Sequence, residues 1–149
     1  MFANSKGSEQ LAILATLDPI SASAGSATSS WVPIQNFHSI LAIINTGVLG
    51  TSATIDARLQ QATDSSGTGS KDVSSRAITQ IVKASGDNKQ ALINMRSDEI
   101  DTTNAYTHVR LVVTVGTAAS VYGAQVLGIN PRFAPASDSN QAAVVQIVG

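Results

Sequence analysis

The chain has 149 residues, no cysteine, a net charge of −1 and 13% charged residues. That length suits one domain with a single core, and the lack of cysteine excludes a disulfide framework, a thiolate metal site and a cysteine nucleophile. The 9 Lys and Arg are scattered rather than gathered into a basic stripe, which argues against nucleic-acid binding, and the apolar runs, such as residues 40–44, are too short to span a bilayer.

The opening MFANSKGSEQ has no periodicity, lacks the basic start and long apolar core of a signal peptide, and reads as a flexible arm. Residues 11–17 are apolar but short, and Asp18-Pro19 ends the run. SASAGSATSS follows as a loop of small residues, after which Trp31, Val32 and Ile34 can anchor the segment on the edge of a core. Residues 1–36 thus read as an N-terminal arm and edge segment.

From Phe37 the pattern is β. FHSILAIINT carries a dense apolar run with polar borders, the mark of a buried strand. Next, Ala53, Ile55, Ala57 and Leu59 alternate with Thr54, Asp56, Arg58 and Gln60, the period of a half-buried strand. TDSSGTGSKD then makes an exposed tip without an apolar anchor of its own. AITQIVKA fits either a helical turn or a strand, and its β-branched content favours the strand. ALINMR alternates again, and SDEIDTTN is a polar connection. In THVRLVVTV, Val109, Leu111, Val113 and Val115 share one face, with Val112 breaking the polar side. VYGAQVLGI is expected to return as its hairpin partner. These strand-like segments with short turns predict an all-β fold: an antiparallel β-sandwich, jelly-roll-like, over residues 37–133. Residues 134–149 form a C-terminal arm, in which a Pro- and Ser-containing linker leads to the apolar AAVVQIVG.

Candidate chemistry is sparse. His38 and His108 have no metal-ligand partner at i+2 or i+4. Asp98, Glu99 and Asp101 share one connection but lack the alternation of a dedicated calcium loop. Asp56 and Arg58 share a strand face and are expected to pair with each other or with an adjacent strand. No Gly-x-Ser-x-Gly is present, and Gly67-Thr68-Gly69 lacks the Lys-Ser/Thr of a phosphate loop. The expectation is therefore no catalytic residue, no metal and no cofactor. Low charge, against about 25% in an average soluble domain, suits a surface covered by partners.

Three segments in this order carry a resemblance: TIDARLQQATDSSG, in which residues 55–64 follow the form V-x-A-x-L-Q-x-(S/A)-x-D with Ile55 in place of Val; YTHVRLVVTV at residues 106–115; and QVLG at residues 125–128. Over roughly residues 37–133 the chain resembles small structural proteins encoded among the head genes of tailed bacteriophages and gene-transfer particles. The resemblance implies a virion protein made in the host cytoplasm and sited at the capsid surface. Such a subunit would decorate or cement the shell, or form a head-spike base, with copies of itself and the major capsid protein or another head protein as partners. The arms outside the match are where docking is expected, through Leu11, Ile13, Leu14 and Leu17 at one end and Val144, Val145, Ile147 and Val148 at the other. A neck or tail structural protein and a carbohydrate-binding sandwich, the latter with aromatics such as Trp31 at its tips, are the alternatives.

Overall fold

Alternating burial sets the strands. In a computed structural model, which describes residues 4–149, they run β1 (Leu11–Ala22), β2 (Gly25–Thr28), β3 (Val32–Pro33), β4 (Phe37–Thr46), β5 (Thr54–Ala62), β6 (Lys71–Ala77), β7 (Ile81–Val82), β8 (Gln90–Arg96), β9 (His108–Gly116) and β10 (Ser120–Pro131). β4 turns Ile40, Ala42 and Ile44 inward, β5 turns Ile55, Ala57 and Leu59 inward, and β9 does the same with Val109, Leu111, Val113 and Val115. These side chains meet between two sheets and form one core.

The four-stranded sheet has the order β1-β10-β4-β8, and the six-stranded sheet the order β2-β9-β5-β6, with β3 added on β9 and β7 on β5. The antiparallel partners are β1 with β10, β2 with β9, β4 with β8 and β5 with β6. First pairs with last, second with second-last, and so inward to the middle, as when a long folded ribbon is wrapped into two sheets. That is the jelly roll, and it gives most edges of the chain a partner.

Two expectations change. β9 and β10 are not a hairpin: each already lies between two other strands, β9 between β2 and β5, β10 between β1 and β4. The turn after Gly116 therefore carries the chain across the sandwich from one sheet to the other. The N-terminal arm is also shorter than the sequence implies, because residues 11–36 enter both sheets as β1, β2 and β3. Register shifts at Leu14 and at Asp18-Pro19 let β1 continue beyond the proline without losing β10. Gly7–Gln10 is a short helical turn, while residues 1–3 of the expected arm lie outside the described residues. AITQIVKA divides three ways: the end of β6, the short β7 and a helical turn at Lys83–Gly86.

Where β2 stops before β3 begins, β9 would lose a ladder partner. Ser29 fills the gap. Its backbone N–H donates to the Leu111 carbonyl at 2.9 Å, and its hydroxyl oxygen accepts the Leu111 N–H at 2.9 Å. An orphaned N–H in this buried position would cost about 1–3 kcal/mol. The Ser-rich stretch thus behaves as part of the sheet rather than as a free loop.

Candidate assembly surfaces

The outer faces of the two sheets differ in kind. On the six-stranded sheet, β9 and β5 present His108, Arg110, Thr114, Asp56, Arg58 and Gln60. These groups are tied to one another. The Arg58 Nε donates to Asp72 Oδ1 at 3.1 Å across to β6, Gln80 donates to Asp56 at 2.8 Å, and the Arg110 guanidinium donates twice to Gln60 Oε1. Asp56 and Arg58 therefore pair with neighbouring segments rather than with each other. Val112 lies on this face yet is buried, flanked in register by Arg58 and Thr28.

On the four-stranded sheet the outward positions carry an aliphatic patch among polar residues, with Thr16, Ser39, Asn94, Arg96 and Gln125 on the same face. Register places Ile13, Leu127 and Leu41 side by side, with Leu11 beside Ile129 in the next row and Ile43 beside Leu92 on the other side. Most are half-buried by one another, while Leu92, on the edge strand, is 57% exposed. No ion pair among the described residues crosses this face. An aliphatic patch rimmed by polar residues is the kind of surface that marks association sites.

The residues expected to make docking contacts divide accordingly. Leu11 and Ile13 sit on the outer face of β1, whereas Leu14 is buried and Leu17 packs against the protein's own core. Residues 134–141 are pinned to β1: the Gln141 N–H donates to the Ile13 carbonyl at 2.8 Å, and Asn140 Oδ1 accepts the Ile13 N–H at 2.8 Å. Beyond that point the tail leaves the core. Val144 is half-buried, while Val145, Ile147 and Val148 are 93%, 54% and 84% exposed.

The tip at one end of the sandwich is more ordered than its Gly- and Ser-rich sequence suggests. Asp64 accepts the backbone N–H groups of Ser66 and Thr68, at 2.9 and 3.1 Å. Gly67, at φ +86°, lies so close to Trp31 that a β-carbon there would come within 2.6 Å of the indole nitrogen. The Tyr106 hydroxyl donates to the Gly69 carbonyl at 2.6 Å, with the Lys71 ammonium 4.5 Å from the tyrosine ring centre. The loop has no apolar anchor of its own; Trp31 and Tyr106 supply one from elsewhere in the chain. The carboxylates of the 97–104 connection are also engaged: Glu99 pairs with Arg76 and Asp98 with Arg96, while Asp101 pairs with Lys71 and accepts from Asn104.

These contacts hold carboxyl groups below their ordinary range. For Asp64 the leading cause is a side-chain hydrogen bond from Thr68, for Asp101 one from Lys71, for Asp87 one from Lys83 and for Glu99 one from Arg76. A carboxylate with a depressed folded pKa stabilises the fold above its unfolded value and loses that contribution as pH falls through the folded one. The unfolded values here are 3.8 for Asp and 4.5 for Glu. Melting temperature is therefore expected to respond little to these groups between pH 7 and about 5.5 and to fall below about pH 4.5. Melts recorded across that range check it, and a midpoint that rises on acidification would contradict it.

No family model matches the sequence, and no curated protein matches it. Solved structures do resemble the fold. The structure of infectious bursal disease virus, Gx strain, is similar with a TM-score of 0.50 and 14% identity, covering 86% of this chain and 34% of that one. The chain thus spans about a third of that protein. Triatoma virus gives a TM-score of 0.49 at 8% identity, covering 95% of this chain and 74% of that one. The family 22 carbohydrate-binding module of Clostridium thermocellum Xyn10B gives 0.43 at 15%, covering 88% and 91%. At 14% identity the likeness to the infectious bursal disease virus protein is one of fold alone.

Proposed function

We propose that this chain is a non-enzymatic virion structural subunit that associates with copies of itself and binds the capsid of a tailed-phage-like particle as a decoration, cement or spike-base protein. The observation that carries the proposal is the contrast between the sandwich faces: one polar and internally paired, the other carrying an aliphatic patch of Leu11, Ile13, Leu41, Leu127 and Ile129, with polar residues around it and the exposed Leu92 at its edge strand. The resemblance of residues 37–133 to head-gene structural proteins supports the same reading, as does a jelly-roll scaffold suited to edge-to-edge packing.

The mechanism follows from burial. Aliphatic side chains moved from water into a subunit boundary contribute about 25 cal/mol per Å², and nothing need be cleaved or transferred. A subunit that binds only the assembled shell stabilises that shell by mass action, by about 2.7 kcal/mol when present at a hundred times its Kd. The polar outer face of the six-stranded sheet would remain toward solvent.

Co-sedimentation of the purified chain with capsids lacking it tests the proposal. Saturable binding with a raised capsid melting temperature is expected. Copies at every lattice position would indicate decoration, and copies confined to vertices a spike base. A chain that ignores capsids but binds isolated tails would move the assignment to the neck or tail, and one that binds neither would remove the virion reading.

A further inference from the structure

We infer that residues 142–149 of one copy add as a strand to the open edge of β8 in the next, so that the four-stranded sheet continues from subunit to subunit. This rests on the self-assembly reading above and names its donor and acceptor.

The donor is a strand without a sheet. AAVVQIVG is rich in β-branched residues, which favour extended backbone. Among the described residues, those at 145–149 make no backbone hydrogen bond. Val145 and Val148 stand almost wholly in water. Unpaired N–H and C=O groups beside exposed aliphatic side chains are satisfied together when such a segment joins a sheet edge.

The acceptor is set by which edges are open. Natural edges are blunted by charge, proline, bulges or shortness. In the six-stranded sheet, β2 has only 4 residues. At its other end, β6 has a register shift against β5, a left-handed residue at Ser75 (φ 57°) and the charges of Lys71, Asp72 and Arg76. In the four-stranded sheet, the β1 edge is occupied at Ile13 by Asn140 and Gln141. β8 is the least protected edge, with its one charge, Arg96, at its end. It pairs with β4 from Gln90 to Arg96 without a register shift, and residues 91–95 carry neither charge nor proline. Leu92 stands exposed in its middle.

The occupant is a second copy rather than the chain's own tail. The tail leaves its own molecule beside β1, at the opposite side of the sheet from β8. It ends against Lys6, where a β-carbon on Gly149 would be 3.5 Å from the lysine side chain. Placed edge to edge, two copies would hold the tail in the seam between β1 of one and β8 of the other. Donor and acceptor are different surfaces, so the contact is head-to-tail and closes into a ring when its rotation permits.

The absence of native cysteine makes the test direct. One population of the full chain carries Leu92→Cys and another Val145→Cys or Ile147→Cys. A disulfide between them forms only when the two Cα atoms come within about 4.4–6.8 Å. Mixed under oxidising conditions, the two populations are expected to form a linked heterodimer. In parallel, a chain ending at residue 141 and a Leu92→Lys chain are each expected to associate at least tenfold more weakly, with melting temperatures close to that of the parent. The truncation removes no buried residue, since Ala136 is the last of them. If the truncated chain keeps the parent's mass and no cross-link forms, the inference falls while self-assembly stands. Weaker association on truncation without any cross-link to position 92 overturns the acceptor. A parent chain that stays monomeric at every concentration and on capsids removes both.

Discussion

Phe37→Ala is expected to cost about 3–5 kcal/mol, the range for emptying a buried aromatic site. Set against a total of about 5–15 kcal/mol for a native domain, that is the difference between a folded chain and a marginal one. Phe37 is 1% exposed and opens β4, opposite Pro131 in register. Its ring lies over Gly128 of β10, so closely that a β-carbon there would come within 2.7 Å of three ring atoms. The glycine is needed because the ring occupies the space a side chain would take. Gly128→Ala should therefore destabilise by about 1–3 kcal/mol through overpacking. In the Phe37→Ala background that penalty should largely vanish, because the two sites share one volume. Urea titrations of the two single variants and the double variant read the coupling. Additive losses would mean that ring and glycine do not share that volume.

The second large effect is at Trp31. Its indole is half-buried between the Arg110 guanidinium, 4.5 Å from the ring centre, and Gly67 of the tip. Trp31→Ala removes the main apolar support of the loop. A loss of about 2–3 kcal/mol is expected, below the range for a fully buried tryptophan, of which the cation–π contact supplies about 0.5–1 kcal/mol. Residues 66–70 should become the first site of proteolytic nicking. The same variant separates the virion reading from the carbohydrate-binding one. A sugar platform uses an exposed ring, so its loss would abolish glycan binding and leave stability unchanged. Here the ring is already occupied by the protein's own loop, and the expected result is the reverse.

These two sites also show what can be read from the chain alone. β5 and β9 are legible because alternation is a local property and their inward residues, Gln61 of β5 apart, are apolar. β2 is not, because GSAT has no pattern of its own and becomes a strand only because β9 offers it a partner. β1 is interrupted in sequence by Asp18-Pro19, and its register shifts depend on β10, more than a hundred residues away. The hairpin expectation for β9 and β10 failed for the same reason. Short connections suggest neighbours in one sheet, but each strand's place was taken by partners from distant parts of the chain. At the tip, Trp31 and Gly67 are far apart in sequence, so nothing local announces their contact.

The candidate surfaces divide along the same line. The apolar tail stands out as a segment, since AAVVQIVG follows a polar linker. The aliphatic patch does not, because it draws residues from β1, β4, β8 and β10, each of which looks like an ordinary buried strand in isolation. Leu14 and Leu17 illustrate the ambiguity: beside Leu11 and Ile13 in sequence, they turn inward after the register shift and serve the core.

Self-association of the chain is the central claim, and sedimentation velocity of the purified chain over a wide concentration range measures it directly. A discrete multiple of the 15.3 kDa chain mass, dissociating on dilution, is the predicted result. A single species at the mass of one chain at every concentration, with the aliphatic patch and tail in water, would contradict it.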